Sequence, residues 1–409
     1  MSQRPLSAIV LAAGQGKRMR APGPKVLVRA CGRTLVEHVL EALRPLGASP
    51  TVVVYGHGGN AVREALSGQD VRFAHQPEQR GTGHAVQCAL PALQGCQGDL
   101  LVLCGDTPLL TTGVLEELLA DHRRNDRALT VLSAELDSPG ALGRVLRDDE
   151  GRLVAIREAA DATDPERAVR EINTGVMVID LRHLPGALAR LTADNAQGEL
   201  YLTDLPAMLL SDGLPVGACP AEDDGAALGV NNPLELAEAV DRLRRRILGR
   251  ALTAGVEMED PETTRIDAGV EIGAGTRLEP FVHIGPDVRV GVGCRVGPHT
   301  SLREGVVVGD RASIGARVEL RRCTLGEEVD VAGPARLVGA AIGRRVRIEP
   351  GVVTMGEERG RIVIGDKARV GAGAVLCAPL TIAEGAVVSA GSVLRRQARA
   401  SEGGEEESC

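Results

Sequence analysis

Aromatic side chains are almost missing from this 409-residue chain: Tyr55, Phe73, Tyr201 and Phe281 are the whole set, and there is no tryptophan. That scarcity excludes a platform on which exposed nucleic-acid bases would stack. An excess of positive charge is missing as well. The formal net charge is −8, which argues against nucleic acid or an anionic membrane surface as partner. No apolar run is long enough to span a bilayer, and no signal peptide is read ahead of the first strand, so a cytoplasmic protein without membrane insertion is expected. The nine cysteines are scattered, odd in number and never in a Cys-x-x-Cys pair. That pattern points to a reducing compartment and no structural zinc.

Aliphatic residues are plentiful, and the length suggests two domains with sizeable cores. Near the start an apolar run, Ala8 to Ala13, reads as a buried strand and leads into Gly14-Gln15-Gly16-Lys17-Arg18-Met19, with Pro24-Lys25 shortly after. The two glycines let backbone N–H groups approach an anion closely, and Lys17, Arg18 and Lys25 add positive charge, so the anion implied is a phosphate chain. A dinucleotide fingerprint needs a third glycine where Met19 stands, and a Walker loop needs Ser or Thr where Arg18 stands. The plain alternative is an ordinary strand-to-helix turn with solvated cations. The register of Arg18, Met19, Pro24 and Lys25 favours the phosphate loop.

Up to about Asn232 the chain alternates strands and helices. Strands are expected at Thr51–Tyr55 and Asp99–Cys104, and amphipathic helices at Leu35–Leu46, His84–Leu93 and Val114–His122. This alternation predicts an open, mixed but mostly parallel α/β sheet whose ligands bind at the carboxyl ends of strands, where Gly14, Gly56 and Asp106 stand. Asp106 has two readings: a cap for the helix after Thr111-Thr112, or a carboxylate ligand for a metal.

A charged helix, Glu235 to Leu248, reads as a connector within 233–261. Beyond it the pattern changes. Ile266, Ile272, Leu278, Ile284, Val290, Val296, Leu302, Val308, Ile314 and Leu320 fall at every sixth position, and the register restarts at Leu325 and again at Ile364. Hexapeptide repeats of this kind build a parallel β-helix around a column of aliphatics. The domains expected are therefore 1–232, the connector 233–261, a β-helix over 262–395, and an acidic, disordered tail over 396–409. Met355 to Arg361 interrupts the register and reads as a protruding loop.

A phosphate-loop α/β domain followed by hexapeptide repeats resembles the bacterial bifunctional N-acetylglucosamine-1-phosphate uridylyltransferase/glucosamine-1-phosphate acetyltransferase family, the GlmU type. The likeness runs from Ala8 to about Leu394. It is dense at Tyr55-Gly56-His57-Gly58-Gly59, Gln79-Arg80-Gly81-Thr82-Gly83-His84-Ala85, Gly105-Asp106, Glu171-Ile172-Asn173-Thr174-Gly175, Asn195-Ala196-Gln197-Gly198-Glu199 and Gly229-Val230-Asn231-Asn232. The resemblance implies a left-handed β-helix, a homotrimer, and a reaction in which a sugar-1-phosphate oxygen attacks the α-phosphorus of UTP and releases pyrophosphate.

By the same resemblance, Arg18 and Lys25 stabilise the triphosphate and the leaving group. Backbone at Leu11, Ala12, Ala13 and Gly14, with Cys104 and Gly105, contacts the nucleotide, and Gln76, Gly81 and Thr82 read uracil. Asp106 and Asn231 hold Mg²⁺, one carboxylate and one amide oxygen with phosphates and waters completing the shell. Gly143, Glu158 and Asn173 hold the N-acetylglucosamine moiety, although Leu142 stands where the family usually has an aromatic. His57 and His84 are read as structural.

The second domain departs from the family pattern. Arg303 is kept and Arg321 stands where lysine is expected. Pro334 replaces the general-base histidine, Leu337 a tyrosine, and Gly356-Glu357 a longer Asn-Tyr loop. The expectation is a uridylyltransferase that has lost acetyl transfer. The rival readings are a nucleotidyltransferase for another sugar or base, and a non-catalytic nucleotide-sugar sensor or scaffold.

Overall fold

The run that opens the chain forms the centre of its main sheet. The computed structural model describes residues 4–14, 16–19, 23–56, 58–222, 225, 229–356 and 360–395. His57, Glu357, Glu358 and the tail 396–409 lie outside them, as does the side chain of Lys17. The strands of the main sheet are β1 (Leu6–Ala12), β2 (Thr51–Tyr55), β3 (Arg72–His75), β4 (Asp99–Cys104), β5 (Leu129–Glu135), β6 (Arg144–Arg147), β7 (Leu153–Arg157), β8 (Glu171–Asp180) and β9 (Val216–Pro220). Their order is β9-β5-β8-β4-β1-β2-β3, with the β6–β7 hairpin paired to β8 at one residue, Ile172 against Arg144.

Along that path every pair is parallel except the two made by β8. The sheet is thus mixed and mostly parallel. Its central strands read as unbroken apolar runs because both faces are covered: Ala8, Ile9 and Val10 in β1 and Leu100 to Leu103 in β4 are fully buried. Parallel pairing brings the carboxyl ends of β1, β2, β3 and β4 to one edge, and the loops that follow them collect there.

The helices begin where the sequence supplies caps. Thr34 caps Leu35–Leu43 in a capping box with Glu37. Thr111 caps Thr112–Arg124, its hydroxyl accepting from the Val114 N–H at 3.4 Å. The cap reading for Asp106 is therefore not what the structure shows. The long helix Pro233–Thr253 crosses the division between two compact units, which falls between Leu243 and Arg244. Its first half sends Ala239 and Leu243 into a cluster with Met19, Ala30, Leu35, Leu109 and Val230.

The second unit is a parallel β-helix: three sheets of eight, eight and seven very short strands, all paired in parallel. Every sixth aliphatic points inward, and Leu278, Ile284, Val296, Leu302 and Leu320 are fully buried in one continuous core. Most corners carry a left-handed residue. Glycine supplies many, but Asp287, His299, Arg311, Arg317 and Arg345 also adopt φ of 55–59°. Such a residue costs about 1–2 kcal/mol. Burying one aliphatic side chain per corner contributes roughly 1.5–3 kcal/mol and so outweighs it.

Candidate active site

Three groups of side chains gather over the carboxyl edge of the main sheet. The first lies between the loops after β1 and β4. Lys25, in the turn Lys25–Leu27, is 8% exposed. Its ammonium donates to Asp106 Oδ2 in a short ion pair and to Asn231 Oδ1 at 2.8 Å. One carboxylate and one amide oxygen thus converge on a single cation position, although the two residues are far apart in sequence.

The backbone fixes both ligands. The Gly105 N–H donates to Leu11 O at 2.9 Å, and the Val230 N–H donates to Asp106 O at 2.9 Å. Asn231 is held by Glu235, whose Oε2 accepts from the Asn231 N–H at 2.6 Å while Oε1 accepts from Asn232 Nδ2 at 2.6 Å. Asn232 in turn caps the Glu235 N–H at 3.0 Å. Glu235 was not among the expected site residues. Asn232-Pro-Leu-Glu235 ahead of an apolar run is a capping box, and that signal is readable in the sequence.

Gln76, Gly81 and Thr82 form the second group. Gln76 is 3% exposed; its Nε2 donates to Gly81 O at 3.1 Å and lies 3.3 Å from His84 Nδ1. That ring nitrogen also lies 2.9 Å from Glu78 O, so His84 ties the 76–84 loop together, as a structural histidine should. Gly81 sits at φ +100°, and a methyl group there would lie 2.6 Å from Leu200 O, so only glycine fits. Thr82 accepts the Leu202 N–H at 3.1 Å. Gln79 links this group to the first loop through a short bond from its Nε2 to Ala13 O.

Gly143, Glu158 and Asn173 are also brought together. The Asn173 N–H donates to Gly143 O at 2.8 Å, and a methyl group at Gly143 would lie 3.5 Å from Glu158 Oε2. Glu158 Oε1 accepts from the Thr203 hydroxyl at 2.8 Å. Thr203 was not foreseen, because no motif surrounds it. Burial raises the Glu158 carboxyl above its ordinary value; the Thr203 bond opposes the shift, and Asp204, Asp161 and Glu199 add to it.

A raised carboxyl has a signed consequence. Between its ordinary and its raised value the folded chain holds a proton that the unfolded chain has released. Its contribution to stability therefore falls as pH rises through that window and stays unfavourable at neutral pH. Glu158→Gln is expected to melt higher than the parent at neutral pH. The advantage should vanish in acid, below the carboxyl range, and calorimetry at the two pH values checks it.

Arg18 stands apart from the three groups, and Cys104 adjoins the first without joining its bonds. Arg18 is exposed on the turn Lys17–Met19 and forms no ion pair among the described residues. Cys104 lies at the end of β4 with its thiol 3.7 Å from Gly175 O. Burial first, and then the Asp106 charge, push that thiol up to about 12, so it is no nucleophile. Leu11, Ala12, Ala13 and Gly14 occupy the end of β1 and the start of its loop, within reach of the first two groups.

On the β-helix, Arg303 and Arg321 are register partners on adjacent coils. Arg303 donates to Ser301 Oγ at 2.8 Å and to His283 Nδ1 at 3.1 Å, and Arg321 pairs with Glu304 at 2.6 Å. Leu337 is fully buried in the core. No helix among the described residues is long and apolar enough to cross a membrane.

Comparison with known proteins agrees with this architecture. Residues 8–199 match the MobA-like NTP transferase domain, and residues 269–304 match the bacterial transferase hexapeptide (six repeats). Over 429 residues, 96% of this chain and 93% of the relative, the sequence is 40% identical to the bifunctional protein GlmU of Pelobacter propionicus. The corresponding protein of Streptomyces griseus is 40% identical over 432 residues, and that of Corynebacterium efficiens 36% over 431.

Proposed function

The chain belongs to the GlmU family and is a sugar-1-phosphate nucleotidyltransferase; from that premise we propose that it transfers UMP from UTP to N-acetylglucosamine-1-phosphate, forming UDP-N-acetylglucosamine and pyrophosphate. The observation that carries this reading is the convergence of Lys25, Asp106 and Asn231 on one point beside the β1 loop.

That donor set suits magnesium. Both oxygens already face a cation, the Lys25 ammonium, and among the described residues no group of three His, Cys, Asp or Glu forms a dedicated metal cage. Magnesium is commonly held by one or two carboxylates with substrate phosphates and waters. When bound, it would supply charge neutralisation to the triphosphate. The protein's own task is positioning. Lys25 and Arg18 face the charge that develops on the α-phosphate and the departing pyrophosphate. Backbone from Leu11 to Gly14, with Cys104 and Gly105, cradles the nucleotide. Gln76, Gly81 and Thr82 read the uracil edge with an amide and backbone groups, without stacking. Glu158 and Asn173 bind sugar hydroxyls, and Gly143 leaves room for the acetamide. The sugar-phosphate oxygen attacks the α-phosphorus, the bond to the β-phosphate oxygen breaks, and pyrophosphate carries the charge away.

The β-helix assembles the protein as a homotrimer in the cytoplasm and does not acetylate. One observation favours a second reading of the sugar: Leu142, in place of the family's aromatic, packs with Ala134 and Ile172 beneath the Gly143 loop, so a different sugar-1-phosphate is the alternative acceptor. The nucleotide assignment is tested by steady-state pyrophosphate release with UTP, dTTP and CTP. UTP is expected to be preferred, and equal or faster turnover with dTTP or CTP would overturn it.

A further inference from the structure

Arg144 is a buried cation that no carboxylate pairs with among the described residues. It is 3% exposed, at the start of β6 and next to Gly143. All its bonds run to carbonyl oxygens. One terminal nitrogen donates to Leu142 O in a short bond, the other to Gly140 O at 3.0 Å, and Nε donates to Arg167 O at 3.3 Å. Arg167 ends the one-turn helix Asp164–Arg167, so its carbonyl is a helix-end acceptor.

Burying an unpaired guanidinium is costly unless its donors are all used. Here three of its five N–H donors join two segments, the 140–142 loop and the 163–167 turn, the latter already held by the Thr163–Glu166 capping box. The planar fork reaches both sides of Ala141 and ties the 140–142 loop to the 163–167 turn. Next to that loop, Gly143 O accepts the Asn173 N–H, and a methyl group at Gly143 would lie 3.5 Å from Glu158 Oε2. Gly143, Asn173 and Glu158 form the sugar pocket in the function proposed above.

We propose that Arg144 is a positioning residue for the sugar-1-phosphate: it fixes the 140–143 loop from behind, so that Gly143 stands in register with Asn173 and Glu158. The inference rests on the assignment of that group to the sugar. It makes no use of the Lys25 site, which lies on other loops, so a change at Arg144 acts on the acceptor and spares UTP.

The test uses the full-length chain and whichever sugar-1-phosphate the parent accepts. Failure with N-acetylglucosamine-1-phosphate itself therefore counts against the function and leaves the role of Arg144 open to measurement. Arg144→Lys keeps the charge and the aliphatic stem but cannot reach three carbonyls at once. Arg144→Met removes every bond. The KM for the sugar-1-phosphate is expected to rise about tenfold in Arg144→Lys and further in Arg144→Met, as loss of charge-assisted bonds implies. The KM for UTP should stay within about twofold, since its contacts lie elsewhere. If Arg144→Met does not fold, Arg144→Lys alone decides. Unchanged sugar KM in Arg144→Lys overturns the proposal. So does a parallel rise in both KM values, which would mark Arg144 as merely structural.

Discussion

Asp106→Ala is expected to lower uridylyl transfer by about a hundredfold to a thousandfold or more at saturating Mg²⁺, the scale for removing one preorganised electrostatic contact at a transferring centre. Among the described residues, Asp106 supplies the only formal negative charge bonded to the Lys25 ammonium, which Asn231 also accepts from. Its loss also leaves Lys25, buried to 8% exposure, without its carboxylate. The fold should survive, because Asp106 caps no helix; Thr111 does that for Thr112–Arg124. Asn231→Ala should cost less, as a neutral ligand contributes less than a charged one. Single-turnover rates with circular dichroism of each variant separate lost chemistry from lost structure. An Asp106→Ala protein that keeps most of its rate places the phosphate chemistry elsewhere.

The second large effect is an absence. Incubated with acetyl-CoA and glucosamine-1-phosphate, the protein is expected to release free thiol no faster than buffer. Attack on acetyl-CoA needs a neutral amine, and a positioned base contributes roughly a hundredfold to ten-thousandfold. Pro334 stands at the matched position and has no basic group and no N–H. Its chain neighbours Ala332, Gly333 and Ala335 offer none. Leu337 is buried in the core, and the Arg336 guanidinium pairs with Glu319 at 3.2 Å. His299 stacks on Phe281 of the preceding coil at 4.7 Å. The coil carrying Arg317 lies between His299 and Pro334: the Arg317 N–H bonds Pro298 O, and Val318 pairs with Ala335. Two strand spacings, about 10 Å, are too far for one water to bridge. Two further carboxylates, Glu357 and Glu358, lie outside the described residues. Thiol release well above buffer that disappears in Glu357→Ala would show the second unit catalytically alive.

The β-helix was legible nearly coil by coil, because an inward aliphatic every sixth residue is forced by three short strands per turn. Even its irregularities show. The five-residue step from Leu320 to Leu325 appears as pairing of Val307 with Thr324, one residue short of the usual coil. The break after Met355 appears as pairing of Ala340 with Ile362 across a longer coil. The strands β2 and β4 were readable to the residue, whereas Leu35–Leu46 and His84–Leu93 each end in a tight 3-10 turn, where a proline at Pro45 or Pro91 closes the helix early.

At the site, residues carried by short motifs are legible: Lys25, Asp106 and Asn231, and the Gln76–Gly81 group. Thr203, Glu235 and Arg144 were not nominated. Thr203 meets Glu158 only after the chain returns, forty-five residues on, and nothing local marks it. Arg144 acts through carbonyls, which every residue carries, so its sequence neighbourhood holds no sign of its partners.

The proposed role of the Lys25–Asp106–Asn231 site is to join UTP to N-acetylglucosamine-1-phosphate. The most direct measurement is coupled pyrophosphate release with these two substrates and Mg²⁺, with the nucleotide-sugar product identified by mass spectrometry. The parent is expected to give stoichiometric pyrophosphate and UDP-N-acetylglucosamine, and Asp106→Ala at least about a hundredfold less of both in the same time. Tight binding of UDP-N-acetylglucosamine without any pyrophosphate release, in the parent protein, would contradict it.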